Sequence, residues 1–265
     1  MVSNIHPTAV IDPKAQVGAD VEIGPYCVIG PEVEIGDRVR MISHVVVDGR
    51  TKVGAECVLH PFAAIGQCPQ DLKYHGELST LEVGARNRIR EYVTMHPGTE
   101  GGGMITRVGD DGLFMVGVHV AHDCLIGNHV VMANNATLAG HVVVGDFVVI
   151  GGLAAVHQFV RIGPHAMIGG MSGVESDVIP YGTVKGERAH LSGLNVVGLE
   201  RRGFKRDEIH ALRSAYRILF SSEGTMAERL EDVAEHYKDK TLVESMVSFI
   251  RSRSSRALCQ PKNEA

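Results

Sequence analysis

An apolar, mostly aliphatic residue returns every six positions through most of the first two-thirds of this sequence. From Ile5 the column runs Ile11, Val17, Ile23, Ile29, Ile35, Met41, Val47, Val53, Leu59 and Ile65. It resumes at Val83, Ile89 and Met95, shifts once, and continues in steps of six from Val108 to Val174. Glycine often follows the column residue, as at Gly18, Gly24, Gly127 and Gly163, and the position four after it is usually small or β-branched. A period of six fits neither the turn of a helix nor the alternation of an ordinary strand. It fits hexapeptide repeats, in which each hexad is one short strand plus a turn and three hexads close one triangular coil. Apolar residues make up only 44% of the chain, so composition alone does not produce a column this long. The expected fold class is mainly β, a parallel β-helix over residues 1–189.

Two polar segments interrupt the rhythm. One is Gln70–Leu81 and the other the glycine-rich stretch Glu100–Arg107, both expected to loop out of the coil. After Lys185 the period changes. Ile209, Leu212, Tyr216 and Leu219 fall at spacings of three and four, one apolar stripe of a helix. Thr225-Met226-Ala227-Glu228 reads as a capping box opening a second helix, and a third amphipathic segment spans about 241–253. These give a small all-α C-terminal domain over residues 190–265, closed by a tail, QPKNEA, expected to fray.

Composition excludes several functions. A net charge of −5 advertises no general attraction to nucleic acid or an anionic membrane. No apolar run is long enough to span a bilayer, and the hexads begin at Ile5, leaving no room for a signal peptide. The five cysteines include no CxxC pair, and Cys27, Cys57 and Cys124 occupy the small inward position of their hexads. Packing in a reducing, cytoplasmic setting explains them.

If three hexads make a coil, residues eighteen apart stack at about 4.8 Å, the strand spacing of a sheet. Gly140 then lies one coil above His122, and Gln158 one above that. Counting hexads past the two loops places the Ile65, Met95, Val120, Leu138 and Val156 hexads on one face, with both loops leaving at the same corner. His96, His119, His122, Asp123, His141, His157 and Gln158 gather there. A single histidine on a solenoid is usually a solvated surface residue, and His6, His44, His60, His129, His165, His210 and His236 are read so. A histidine column beneath two converging loops is read as a site.

An imidazole, with a reference pKa of about 6.5, suits a general base near neutral pH. It needs a partner to fix its tautomer, and Asp123 can be that partner if strand alternation does not turn it away. Gly140, lacking a side chain, leaves its amide open to an oxyanion above His122. Cys124 points inward and no nucleophilic serine adjoins, so direct attack of an acceptor hydroxyl on a thioester suits the set. Zinc is the rival use of clustered histidines, disfavoured by the His119-Val-Ala-His122 spacing and the aspartate that follows. Gln70, Asp71 and Lys73 can hydrogen-bond a polar substrate, and Arg201, Arg202, Lys205 and Arg206 form a local basic patch suited to an anionic partner or a diphosphate.

Across nearly its full length the chain resembles the UDP-N-acetylglucosamine O-acyltransferase family of lipid A biosynthesis. The likeness rests on Ile5-His6-Pro7-Thr8-Ala9, Gln70-Asp71-Leu72-Lys73-Tyr74, Arg86-Asn87-Arg88-Ile89-Arg90-Glu91 and Ala121-His122-Asp123-Cys124. It continues in the segment from Ala133 to His141, in Ala155-Val156-His157-Gln158-Phe159, and from Gly198 to Phe204. The resemblance implies a left-handed coil, a homotrimer with intersubunit active sites, and transfer of an (R)-3-hydroxyacyl chain from acyl carrier protein to the 3-hydroxyl of the UDP-sugar. That reaction opens lipid A synthesis and needs no metal and no bound cofactor, because the acyl chain arrives on the carrier's phosphopantetheine. The resemblance implies a general base at His122, its partner acid at Asp123 and an oxyanion amide at Gly140. It puts nucleotide-sugar contacts at Gln70, Asp71, Lys73, His96, Gln158, Asn195 and Arg202, with His119, His141 and His157 as further active-site positions. The patch around Arg201 becomes part of the carrier-protein surface, and Gly170 the residue closing the acyl groove. Pro97 and Glu187 depart from the residues common there, which puts fine acceptor preference in doubt.

Competing functions remain distinguishable. A 3-amino acceptor in place of the hydroxyl is a known variation. The related N-acyltransferase carries a separate domain before its repeats, and a CoA-dependent hexapeptide acetyltransferase lacks the double-loop pattern and the QDLKY segment. A metal-dependent hexapeptide enzyme predicts stoichiometric zinc. A non-catalytic scaffold predicts no effect of His122→Ala.

Overall fold

A computed structural model describes residues 3–262. The hexads wind into a left-handed parallel β-helix, a three-sided prism whose walls are three parallel sheets. Most strands are only two residues long and end on the column residue, as in Glu22–Ile23, His119–Val120 and Thr137–Leu138. The register is the one the period demands. Glu22 pairs with Arg40 and His119 with Thr137, each eighteen residues on.

The column and the small inward positions together fill the prism. Ile23, Ile29, Met41, Leu59, Phe114, Met132 and Ile150 are all buried, and so are Cys27, Cys57, Ala63 and Cys124. At the N-terminal end of the described residues the column opens to solvent: Ile5, on the edge strand of its sheet, is 45% exposed.

Each corner has a fixed conformation. The residue three after the column adopts positive φ in coil after coil, among them Tyr26, His44, Asp123, His141, Phe159 and His165. At the corner holding Gly18, Gly84 and Gly109, a further device recurs. The amide after each glycine is capped by an Asx side chain one coil on, as Ala19 by Asp37, Ala85 by Asp110, Asp110 by Asn128 and Asn128 by Asp146.

Both loops leave the prism at one corner, between the sheets holding Ala64–Ile65 and Thr80–Val83 in one case, and Thr94–Met95 and Ile105–Val108 in the other. Their extents differ from those expected. They occupy residues 66–79 and 96–104, while Leu81 and Arg107, placed at the loop ends by the sequence, belong to strands. Thr80–Val83 carries polar Thr80 and Glu82 on its outward side, and Ile105–Val108 buries Thr106 while Ile105 stays partly exposed, which masks the alternation.

The solenoid ends in an antiparallel hairpin, Gly182–Lys185 with His190–Leu194. The second strand therefore carries the sheet past residue 189, where the helical region was expected to begin. Four helices follow: α1 (Val196–Arg201), α2 (Arg206–Leu219), α3 (Met226–His236) and α4 (Thr241–Arg251). Short α1 was missed in the sequence; Asn195 caps it, accepting from Gly198 N. The capping box at Thr225 and Glu228 is present with both of its bonds. The tail expected to fray begins at Gln260, whose carbonyl accepts from Leu191 N, and Pro261 bridges to Leu191, just after Leu258 bridges to Asp177 and Cys259 is buried; residues 263–265 of that tail lie outside the described residues.

Arg161 ties the helices to the prism. Its guanidinium bonds buried Asp177 at 2.7 Å, lies 4.5 Å from the Phe249 ring centroid, and donates to Ser252 Oγ and the Phe249 carbonyl.

Candidate active site

At the loop-bearing corner the register stacks His122 directly beneath Gly140. A Cβ added at Gly140 would fall 2.5 Å from Cε1 and 2.6 Å from Nε2 of His122. Asp123 is not turned away. Its left-handed backbone, φ 60°, curls the carboxylate back so that Oδ2 meets His122 Nδ1 at 2.7 Å. The Asp123 side chain is fully buried, and the second loop locks it. Thr99 donates to Oδ1 from its amide at 2.9 Å and to Oδ2 from its hydroxyl at 2.6 Å, while Thr106 Oγ1 accepts from the Asp123 amide at 2.7 Å.

These contacts fix the tautomer of His122. An ionised carboxylate only accepts, so Nδ1 carries the hydrogen and Nε2 presents its lone pair outward. Asp71, on the first loop, lies 4.0 Å from Nε2. Gly140 accepts at its carbonyl from Phe159 N and His141 N donates to the His122 carbonyl, so the Gly140 peptide is held from both sides. Among the described residues its own N–H has no acceptor. The corresponding amides at the glycine-rich corner are capped by Asx side chains; here the donor is bare.

The surrounding imidazoles are held neutral. Burial, reinforced by His119 and His122, pushes His96 down to about 4. Burial also lowers His119 and His141. His119 bonds Thr94 Oγ1 at 2.7 Å, and His141 is stacked on Phe159 with its ring edge-on to His122. His96 packs edge-on to His119 with its buried Nδ1 unpartnered. Cys124, whose thiol burial pushes up to about 12, points inward to the Ala139 carbonyl. It supplies no thiolate nucleophile.

His122, Asp123 and His141 bring their ligand atoms within 4.8 Å of one another, a grouping that can hold a metal. Yet Asp123 already receives Thr99 twice and faces His122 Nδ1, so its oxygens are committed to hydrogen bonds. The arrangement fits an imidazole–carboxylate pair better than a metal cage.

The expected residues divide between corners. Asp71, His96, His119, His122, Asp123, Gly140, His141, His157 and Gln158 share the loop corner, with Gln70 and Lys73 exposed on the first loop. Asn195 and Arg202 stand elsewhere. Asn195 donates to the His165 carbonyl, and Arg202 donates to the Phe147 carbonyl and lies over the Phe147 ring, at the corner built from the Gly145 and Gly163 turns. Arg201 is exposed on α1 beside them. Gly170 is exposed at the third corner, following Met167–Ile168, with Gly152 beneath it. Within one chain these four do not join the His122 column. Thr94, Thr99, Thr106 and Arg256 belong to the site and were missed in the sequence; of these only Thr106, inside the glycine-rich stretch Glu100–Arg107 already suspected, had any signal, and Thr99 directly precedes it.

A parallel β-helix of hexapeptide repeats carrying an imidazole–carboxylate pair and a bare corner amide matches the hexapeptide-repeat acyltransferases. Residues 3–37 match the model of bacterial transferase hexapeptide repeats, and residues 177–259 match the second domain of UDP-N-acetylglucosamine O-acyltransferase. The acyl-[acyl-carrier-protein]--UDP-N-acetylglucosamine O-acyltransferase of Caulobacter vibrioides is 55% identical over 261 residues, 98% of this chain and 99% of that protein. The solved UDP-N-acetylglucosamine O-acyltransferase of Moraxella catarrhalis superposes with a TM-score of 0.93 at 42% identity, covering 97% of this chain and 99% of the other. The UDP-N-acetylglucosamine acyltransferase of Francisella novicida gives 0.94 at 35%, covering 98% and 95%. The chain belongs to the UDP-N-acetylglucosamine O-acyltransferase family.

Proposed function

We propose that this chain performs its family's transfer, the first step of lipid A biosynthesis, by direct attack with His122 as general base and without metal or bound cofactor. The acceptor is UDP-N-acetylglucosamine and the donor an (R)-3-hydroxyacyl chain thioesterified to the phosphopantetheine of acyl carrier protein. His122 Nε2 takes the proton of the sugar 3-hydroxyl as its oxygen attacks the thioester carbonyl. Asp123, held by Thr99, steadies the imidazolium that forms. The Gly140 N–H donates to the developing oxyanion. Collapse forms the ester, breaks the carbon–sulfur bond, and returns the proton from His122 to the departing thiolate. The observation that carries this reading is the His122–Asp123 pair set beneath an amide that has a donor to offer and no side chain in the way.

The division of residues between corners supports a homotrimer. Asn195, Arg201, Arg202 and Gly170 can face a His122 column only if a second copy brings its own corners alongside. The active site then lies between subunits, with the nucleotide-sugar contacts completed by the neighbour and Arg201 on the carrier-protein surface. No helix among the described residues is long and apolar enough to cross a membrane, and the carrier-borne donor places the reaction in the cytoplasm.

The test is to incubate the protein with UDP-N-acetylglucosamine and 3-hydroxyacyl-carrier protein and weigh the products. The acylated sugar nucleotide is expected, and His122→Ala should lose at least the ~10²–10⁴-fold typical of a general base. Full turnover by His122→Ala refutes the mechanism.

A further inference from the structure

The strand-like segment after α4 reaches back to the active-site corner. Arg256 donates from Nη2 to His157 Nδ1 at 2.7 Å and from Nε to the Gln158 carbonyl at 2.9 Å. It is half-buried, and the residues just beyond it are pinned by the Asp177–Leu258 and Leu191–Pro261 bridges and by buried Cys259. A guanidinium donates and never accepts. Nδ1 of His157 must therefore be the acceptor, and the ring hydrogen must sit on Nε2. The Gln158 carbonyl, 3.3 Å from Nδ1, competes for a hydrogen there, but Arg256 already donates to that carbonyl. One cation thus satisfies both acceptors and leaves His157 a single role, that of an Nε2–H donor.

We infer that Arg256 is a positioning residue that fixes His157 as a hydrogen-bond donor toward the acyl donor. The order along the prism identifies that substrate. His122 serves the acceptor hydroxyl, Gly140 one coil above serves the carbonyl oxygen, and the His157–Gln158 turn lies one coil further on, beyond the carbonyl. A donor at His157 stands on the carbonyl side of His122, where it meets the thioester-bearing substrate beside the sugar contact at Gln158. The inference rests on the transfer proposed above, but its first test does not.

That test is long-range nitrogen–proton correlation of the His157 ring in the substrate-free protein. The wild type should show only the Nε2–H tautomer, and Arg256→Ala a mixture, with an unchanged melting temperature. Arg256→Lys, which keeps one donor, should retain the wild-type tautomer. In turnover assays Arg256→Ala should raise KM for acyl carrier protein about tenfold, the scale of one charge-assisted hydrogen bond, with kcat within about twofold. His157→Gln supplies an amide donor that needs no arginine, so adding Arg256→Ala to it should change KM less than about twofold. An Nδ1–H tautomer in the wild type, an unchanged tautomer in Arg256→Ala, or additive effects in the double variant each overturns the inference. Loss of all transfer with the tautomer as expected would instead fault the proposed function.

Discussion

The stacking of His122 under Gly140 makes Gly140→Ala a stringent test, because the two failure modes of such a change can be separated. Gly140 does not have positive φ, so alanine brings no backbone strain, and stability should stay within about 1 kcal/mol. The collision is local. The new methyl would sit 2.5 Å from Cε1 of His122, where ordinary contacts begin at 3.4 Å. The ring must retreat by about 1 Å, a misplacement that costs on the order of 10²-fold in rate, or about 2.7 kcal/mol in the barrier. It has little room: Asp71 lies 4.0 Å from Nε2, and rotation breaks the 2.7 Å bond to Asp123. The Gly140 peptide cannot yield instead, being tied to Phe159. The assay is product mass against time with both substrates saturating, beside a melting curve. Gly152→Ala, whose methyl would meet the Asn134 carbonyl at 3.3 Å and Ala133 Cβ at 4.0 Å, serves as the control. A Gly140→Ala protein with kcat within about threefold of wild type would show that the imidazole and the amide do not act as a unit.

Stability should depend on acid through the buried imidazoles. His96, lowered to about 4, binds fewer protons folded than unfolded between about pH 4 and 6.5, and His119 and His141, also lowered by burial, act in the same direction below about 6.5. Their contribution is therefore intact above about 6.5 and lost as pH falls toward 4, and His96→Gln should flatten the melting-temperature profile over that window. Arg161→Ala should cost about 3 kcal/mol by leaving buried Asp177 unpaired, measured by denaturant titration. Gly170, with no side chain to close a groove, predicts preference for longer acyl chains in a donor series; a clear preference for ten carbons or fewer refutes this.

The period of six made the prism, its register and the vertical order of His122, Gly140 and Gln158 legible, because each is arithmetic on a repeat. The shared corner of the two loops followed from the same counting. Loop boundaries did not, since Ile105–Val108 buries Thr106 and leaves Ile105 partly exposed, and Thr80–Val83 carries polar Thr80 and Glu82 on its outward side. Nor did the bonds of Thr99 and Arg256, which cross 24 and 99 residues respectively and leave no periodic trace. Asp123 was ambiguous for a specific reason. Alternation governs strands, and Asp123 lies on a left-handed turn.

That turn has a consequence for how a catalytic pair arises on such a scaffold. Left-handed backbone is costly for residues with a side chain, and a strained conformation at an active site ordinarily has to be offset by the rest of the molecule. Here every coil imposes it, and the positions that bear it include aromatic, acidic and basic residues but no Val, Ile or Thr. The carboxylate that orients the base therefore occupies a geometry the architecture maintains whether or not catalysis uses it. Many corners of the prism offer the same pose, and what singles out this one is the pair of loops that leaves beside it.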